Sequence, residues 1–254
     1  GSGGTVKNVV LEGVQIESDN DMSDVGGVAG QSYGNIENCS VSGSVSGTNS
    51  IAGGVVGYQL VGSITGCSSS ARVKGVAYAG GIAGYTNGGA SLTGCYATGS
   101  VSVENNTTSA AYAGGVVGNN GSSSTLKACY AWGSVSGSGS GTIYVGGVTG
   151  DNVDGTLTAC YHANGTVSGP DGTTGGMAGR NYKAIYDPVI TACYWGDNGQ
   201  TQGIGYNQAG TGETTQVTDD DWQTAANAMN AALTAESWRY TFDPDNSLPV
   251  LWEP

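Results

Sequence analysis

One five-residue block recurs six times along the 254-residue chain and governs what it can fold into. The copies are Gly26-Gly27-Val28-Ala29-Gly30, Gly53-Gly54-Val55-Val56-Gly57, Gly80-Gly81-Ile82-Ala83-Gly84, Gly114-Gly115-Val116-Val117-Gly118, Gly146-Gly147-Val148-Thr149-Gly150 and Gly175-Gly176-Met177-Ala178-Gly179. Their starts lie 27, 27, 34, 32 and 29 residues apart. Thirteen to eighteen residues after each start comes one cysteine: Cys39, Cys67, Cys95, Cys129, Cys160 and Cys193. An aliphatic residue stands three positions before each cysteine: Ile36, Ile64, Leu92, Leu126, Leu157 and Ile190. In five of the six units an inward-looking valine follows: Val45, Val73, Val101, Val135 or Val167. A unit this short cannot bury its own apolar side, so the units must stack and share a core.

Each unit reads as three short β-prone runs separated by Gly/Ser/Asn turns, enough for one triangular coil. Equivalent positions then stack at about 4.8 Å from coil to coil. The fold class is all-β: a right-handed parallel β-helix, a β-solenoid of about six coils, with a small α+β C-terminal cap. Right-handedness is the expected sense of parallel crossovers. A β-propeller is the competitor, but its repeats run to about 40–50 residues. The solenoid is assigned to residues 1–210, with a half coil over 1–25 and coils starting at 26, 53, 80, 114, 146 and 175. Val6 to Gly13 aligns on Ile36 to Gly43, and Gly203 to Asn207 reads as a worn seventh block. The cap is assigned to 211–254. There an apolar stripe of Trp222, Ala225, Ala226, Met229 and Leu233 follows acidic residues, predicting a helix near Asp220 to Leu233, with short strands after it.

Composition narrows the partners. Twenty acids against seven bases give a net charge of −13, which argues against nucleic acid and anionic lipid. No apolar run approaches a membrane span. The acid excess and Ser/Thr/Gly/Asn surface suit the outside of a cell. Gly1 reads as the scar of a processed or engineered start, so an export signal is expected to have been lost.

The block, a variable turn, an aliphatic and then Cys-Tyr-Ala-Thr-Gly-Ser-Val resembles the GLUG repeat of bacterial surface proteins, best at Gly80 to Val101 and Gly114 to Val135. The resemblance spans roughly residues 6–207. It implies a secreted or surface-attached, adhesin-like β-helical module of a bacterium, and it brings no catalytic motif.

The six cysteines are read as an inward core ladder. Zinc sites want close pairs, whereas the nearest two cysteines are 28 residues apart. Val9 occupies the same column in the leading half coil, so the slot is small and apolar. Disulfides between some neighbours are the alternative. Alternation then turns Tyr96, Tyr130, Tyr161 and Tyr194 outward, with Trp132 on the same side. That column is the candidate ligand-binding platform, for a glycan or a surface protein. Its competing reading is a self-stacking ladder that stabilises the sheet, or one covered by the C-terminal tail.

Catalytic, metal and cofactor sites are not expected. The lone His162 stands where Val41, Ala97 and Ala131 occur, which makes it a packed residue. Asp151, Asp154 and Arg180 are the one grouping that could form a cleft in a polysaccharide lyase or hydrolase. The turn column Gln31, Tyr58, Tyr85, Asn119, Asp151, Arg180 lacks the repeated aspartate of calcium-binding β-rolls. Asp19 to Asp24 or Asp243 to Asp245 are places for one incidental ion. Insertions at 103–111, 136–143 and 182–188 mark a binding face or simple loop drift. The reading is a monomeric, non-catalytic adhesion or scaffolding module, with a polysaccharide-acting enzyme as the alternative.

Overall fold

The structure is a computed structural model that describes residues 3–19, 23–48, 51–218, 221–234, 236–243, 245 and 247–253. Gly1, the aspartates' segment 20–22, residues 219–220 before the helix and residue 244 lie outside that set. The chain winds as a parallel β-solenoid of about seven turns. Sheet A gathers the strands before the cysteines, from Thr5–Lys7 to Val189–Thr191. Sheet B carries the cysteine-following strands and, after a break, the valine strands such as Val101–Glu104. Sheet C holds the strands entering each glycine block, and sheet D those leaving it, from Ala29–Ser32 to Ile204–Asn207. Equivalent residues pair in register, as in Leu92 with Leu126 and Tyr96 with Tyr130.

The coil is not a triangle of three runs. At the glycine block the chain folds back, so sheets C and D meet backbone to backbone with no side chains between them. A Cβ on Gly114 would overlap the Val117 carbonyl and stand 2.6 Å from the Gly150 nitrogen. The second glycine of each block instead makes room for an inward residue of sheet B: Ala97 over Gly81, His162 over Gly147, Trp195 over Gly176. The fold-back divides the interior in two. The main core holds the aliphatic and cysteine columns with Val55, Ile82, Val116, Val148 and Met177. A second core, including Val73, Val101, Val135, Ala79 and Ala113, lies between the valine strands and sheet C.

Each passage from sheet A to sheet B turns on one left-handed residue immediately before the cysteine column. Asn8, Asn38, Gly66, Gly94, Ala128, Ala159 and Ala192 have φ between 49° and 66°. The thiols serve this corner. Cys95 Sγ donates to Thr93 O (3.5 Å) and to Ile64 O of the preceding coil (3.4 Å). Glycine and asparagine tolerate such a φ, whereas alanine there carries steric strain. Ala192→Gly is therefore expected to raise stability by about 0.5–1 kcal/mol. Urea denaturation reads this, and a lower midpoint would contradict it.

A second buried ladder is polar. Thr86 Oγ1 donates to Asn120 Oδ1 (3.1 Å), Asn120 Nδ2 to Asn152 (2.9 Å), Asn152 to Asn181 (3.0 Å) and Asn181 to Asn207 (3.2 Å). These bonds satisfy side chains that burial would otherwise penalise, and they tie successive coils together.

The tail departs from its expected place. The helix Trp222–Ala232 is capped by Asp221, whose carboxylate accepts from Thr224 N, and an antiparallel hairpin of Arg239–Asp243 and Leu248–Trp252 follows. Instead of closing the solenoid's end, this unit lies along the outer flank of sheet B. Trp238 sits over Gly66 and Gly94, Trp222 over Gly196, and Lys127 pairs with Glu236 at 2.8 Å. The glycines at the corner provide the flat seat for Trp238.

Candidate functional site

The six cysteines all point inward and are buried free thiols, with no disulfide among them. Burial pushes the Cys95 and Cys160 thiols upward, so they stay protonated. The tyrosine column faces outward, as alternation requires, and its rings stack: Tyr96 on Tyr130 and Tyr130 on Tyr161, both at 5.0 Å. It is not an open platform. Tyr130 and Tyr161 are 4% and 0% exposed beneath Trp222, Met229, Leu233 and Tyr240. Tyr161 O–H donates to Pro249 O and accepts from Trp132 Nε1 (2.9 Å). Tyr240 O–H reaches Ala159 O at 2.8 Å. Tyr96 and Tyr194 are half-buried at the margins. An apolar tail needs an apolar seat, and this column supplies it.

His162 is wholly buried. Its Nε2 faces Gly133 O (3.1 Å), and its Nδ1 faces Asn198 Nδ2 (3.1 Å), which fixes a neutral ring protonated on Nε2. Burial lowers its pKa to about 4 from 6.5. The unfolded chain thus binds the proton more tightly, and the stability this ring contributes is complete above pH 6.5. It is lost as pH falls from 6.5 toward 4, by about 3 kcal/mol in all. Comparing urea midpoints of wild type and His162→Ala across that window should show the extra acid sensitivity in wild type alone. Equal slopes would contradict the burial argument.

The structure does bring Asp151 and Arg180 together. Arg180 donates through Nε to Asp151 Oδ1 (2.8 Å) and through Nη2 to Oδ2 (2.5 Å). Asp151 has no exposed surface; its burial raises the carboxyl's pKa while the guanidinium opposes the rise. Asp154 is spent differently, accepting from Ala184 N and Ile185 N and so shaping the 182–188 insertion. The two carboxylates are thus locked in structural roles. Among the described residues, no group of three or more metal-binding side chains occurs, and no helix is long and apolar enough to cross a membrane. The 103–111 insertion helps line a surface hollow with Glu17, Asp19, Lys74 and Glu104, where Lys74 and Glu104 pair at 3.1 Å.

Around the Asp151–Arg180 pair runs a feature the residue columns did not reveal. Where the strands enter and leave the glycine fold-back, rings from sheets C and D form one continuous file along the solenoid axis. Tyr58 stacks on Tyr85 (4.8 Å), Tyr85 on Tyr78 (5.3 Å), Tyr78 on Tyr112 (5.3 Å) and Tyr112 on Tyr144 (5.4 Å), all within 12° of parallel. Arg180 lies 5.2, 5.0 and 4.7 Å from the ring centres of Tyr112, Tyr144 and Tyr182. Tyr58, Tyr85, Tyr78 and Tyr144 are half-buried and Tyr206, at the end of the file, is exposed. Burial raises the hydroxyl of Tyr85 to about 12 and that of Tyr78 and Tyr112 as well, so each is a neutral O–H at physiological pH. The available signal was an aromatic two positions before Gly-Gly in three successive coils, at Tyr78, Tyr112 and Tyr144.

Comparison with known proteins agrees with this architecture. The GLUG-motif family model matches residues 23–46 and 48–74. A crystal structure from Bacteroides ovatus, of a protein named "putative immunoglobulin A1 protease", superposes with a TM-score of 0.61 at 21% identity, over 97% of this chain and 74% of that one. At that identity the likeness concerns the fold alone. No curated protein matches significantly. The chain is a parallel β-solenoid that carries GLUG motifs.

Proposed function

We propose that this chain is a non-catalytic extracellular module, of the adhesion or scaffolding kind, that holds a glycan or a protein of its surroundings along one face of the solenoid. The observation that carries the reading is the tyrosine file on sheets C and D. Tyrosine gives large, rigid, amphipathic contact area at low entropic cost, and the file presents it without a break across successive coils. The chain's net charge of −13 favours solubility and disfavours polyanions. The enzyme alternative loses support because both Asp151 and Asp154 already have their lone pairs engaged. A glycan and protein array probed with the chain, followed by product analysis on every positive, tests the proposal. Capture without turnover supports it. Cleavage of a captured ligand would overturn it.

A further inference from the structure

We infer that the ligand of the tyrosine file is a neutral, linear, β-linked glycan lying along the solenoid axis, recognised by the row of tyrosine hydroxyls; this rests on the module reading above. Three features of the file support it.

The first is what the rings expose. Stacked face to face, they cover one another's π surfaces and turn edges and O–H groups outward. Among the described residues, the Tyr58 hydroxyl accepts from Asn87 Nδ2 (2.9 Å), whereas those of Tyr78, Tyr85, Tyr112 and Tyr144 have no hydrogen-bond partner in the protein. A line of neutral groups that both donate and accept suits a polyhydroxyl chain.

The second is pitch. The rings recur every 4.8–5.4 Å. An extended peptide advances about 3.3 Å per residue and repeats its facing side chains at twice that, so it falls out of step with the file. A β-1,4-linked sugar chain advances by about one pyranose ring per residue, close to the file's spacing, and although successive rings flip, each still offers hydroxyls to groups that both donate and accept.

The third is charge. Arg180 is the cation at the file, and its charge is consumed by the bidentate contact with Asp151. In a chain of net charge −13, that leaves no attraction for uronate or sulfate groups.

The test is calorimetric titration of the whole chain with cello-, xylo- and chito-oligosaccharides of increasing length, with oligogalacturonate as the anionic comparison. Affinity for at least one neutral series should climb with length and level off once the file is spanned. Tyr112→Phe/Tyr144→Phe keeps the stack and removes two hydroxyls. It should weaken binding by roughly five- to a hundredfold with an unchanged melting curve. Absence of binding to every neutral series, preference for oligogalacturonate, or an unaffected double variant would overturn the inference. Ligand capture elsewhere on the chain that ignores the double variant would do so while leaving the module reading intact. Hydrolysis of an oligosaccharide would overturn the module reading itself.

Discussion

Gly114→Ala is expected to cost about 3–5 kcal/mol, enough to unfold much of a marginally stable domain at ordinary temperature. The added methyl has nowhere to go. It would overlap the Val117 carbonyl and stand 2.6 Å from the Gly150 nitrogen, both backbone atoms that cannot rotate away. The contact repeats at Gly53, Gly80 and Gly146, so relaxation in one coil is resisted by its neighbours. Gly89→Ala is the proper comparison, because nothing lies within 4 Å of a Cβ there and only its φ of +76° is strained. That change should cost about 1 kcal/mol. Equal losses in the two variants, read by urea denaturation, would show that the sheets are not in backbone contact at the glycine block.

Arg180→Met is the second change expected to be severe, at about 3–5 kcal/mol. It strands Asp151, which has no exposed surface, beside Asn119 and the rings of Tyr112 and Tyr144. A buried carboxylate without its cation escapes by taking up a proton. The folded variant's Asp151 pKa then rises above the unfolded value, so the defect should be smallest at low pH and grow as pH rises through the carboxylate range. Adding Asp151→Asn should recover most of the loss at neutral pH. A single variant as stable as wild type at pH 7 would mean that the pair is solvated and contributes little. Arg180 would then be free to attract an anionic ligand to the tyrosine file.

Much of this fold was legible because a solenoid repeats its evidence. Val9 alone, standing in the cysteine column, was enough to turn the thiols inward and the tyrosines outward. The fold-back was harder to read. Gly53, Gly84 and their equivalents look like turn residues, and nothing local says that two strands approach without side chains between them. Tyr78 and Tyr85 are seven residues apart in one coil, so they fall in different columns and meet only because sheets C and D double back. The tail was legible as a helix followed by strands, and of the two places open to it, the solenoid's end and the tyrosine column, it takes the second. An apolar stripe on a helix shows that it needs a partner, whereas the choice of flank depends on Gly66 and Gly94 leaving space for Trp238. The stacked column of Tyr96, Tyr130, Tyr161 and Tyr194 is the seat of that tail, and the regularity that made it look like a binding platform serves internal packing.

This protein has two tyrosine files with opposite fates, one sealed by its own tail and one running along the surface. Hydroxyl-radical footprinting of the intact chain, read residue by residue by mass spectrometry, tests it most directly. Strong modification is expected at Tyr58, Tyr78, Tyr85, Tyr144 and Tyr206, with Tyr130, Tyr161 and Tyr240 protected until the protein unfolds. Ready modification of Tyr130 and Tyr161 in the native state, with protection along sheets C and D, would contradict it.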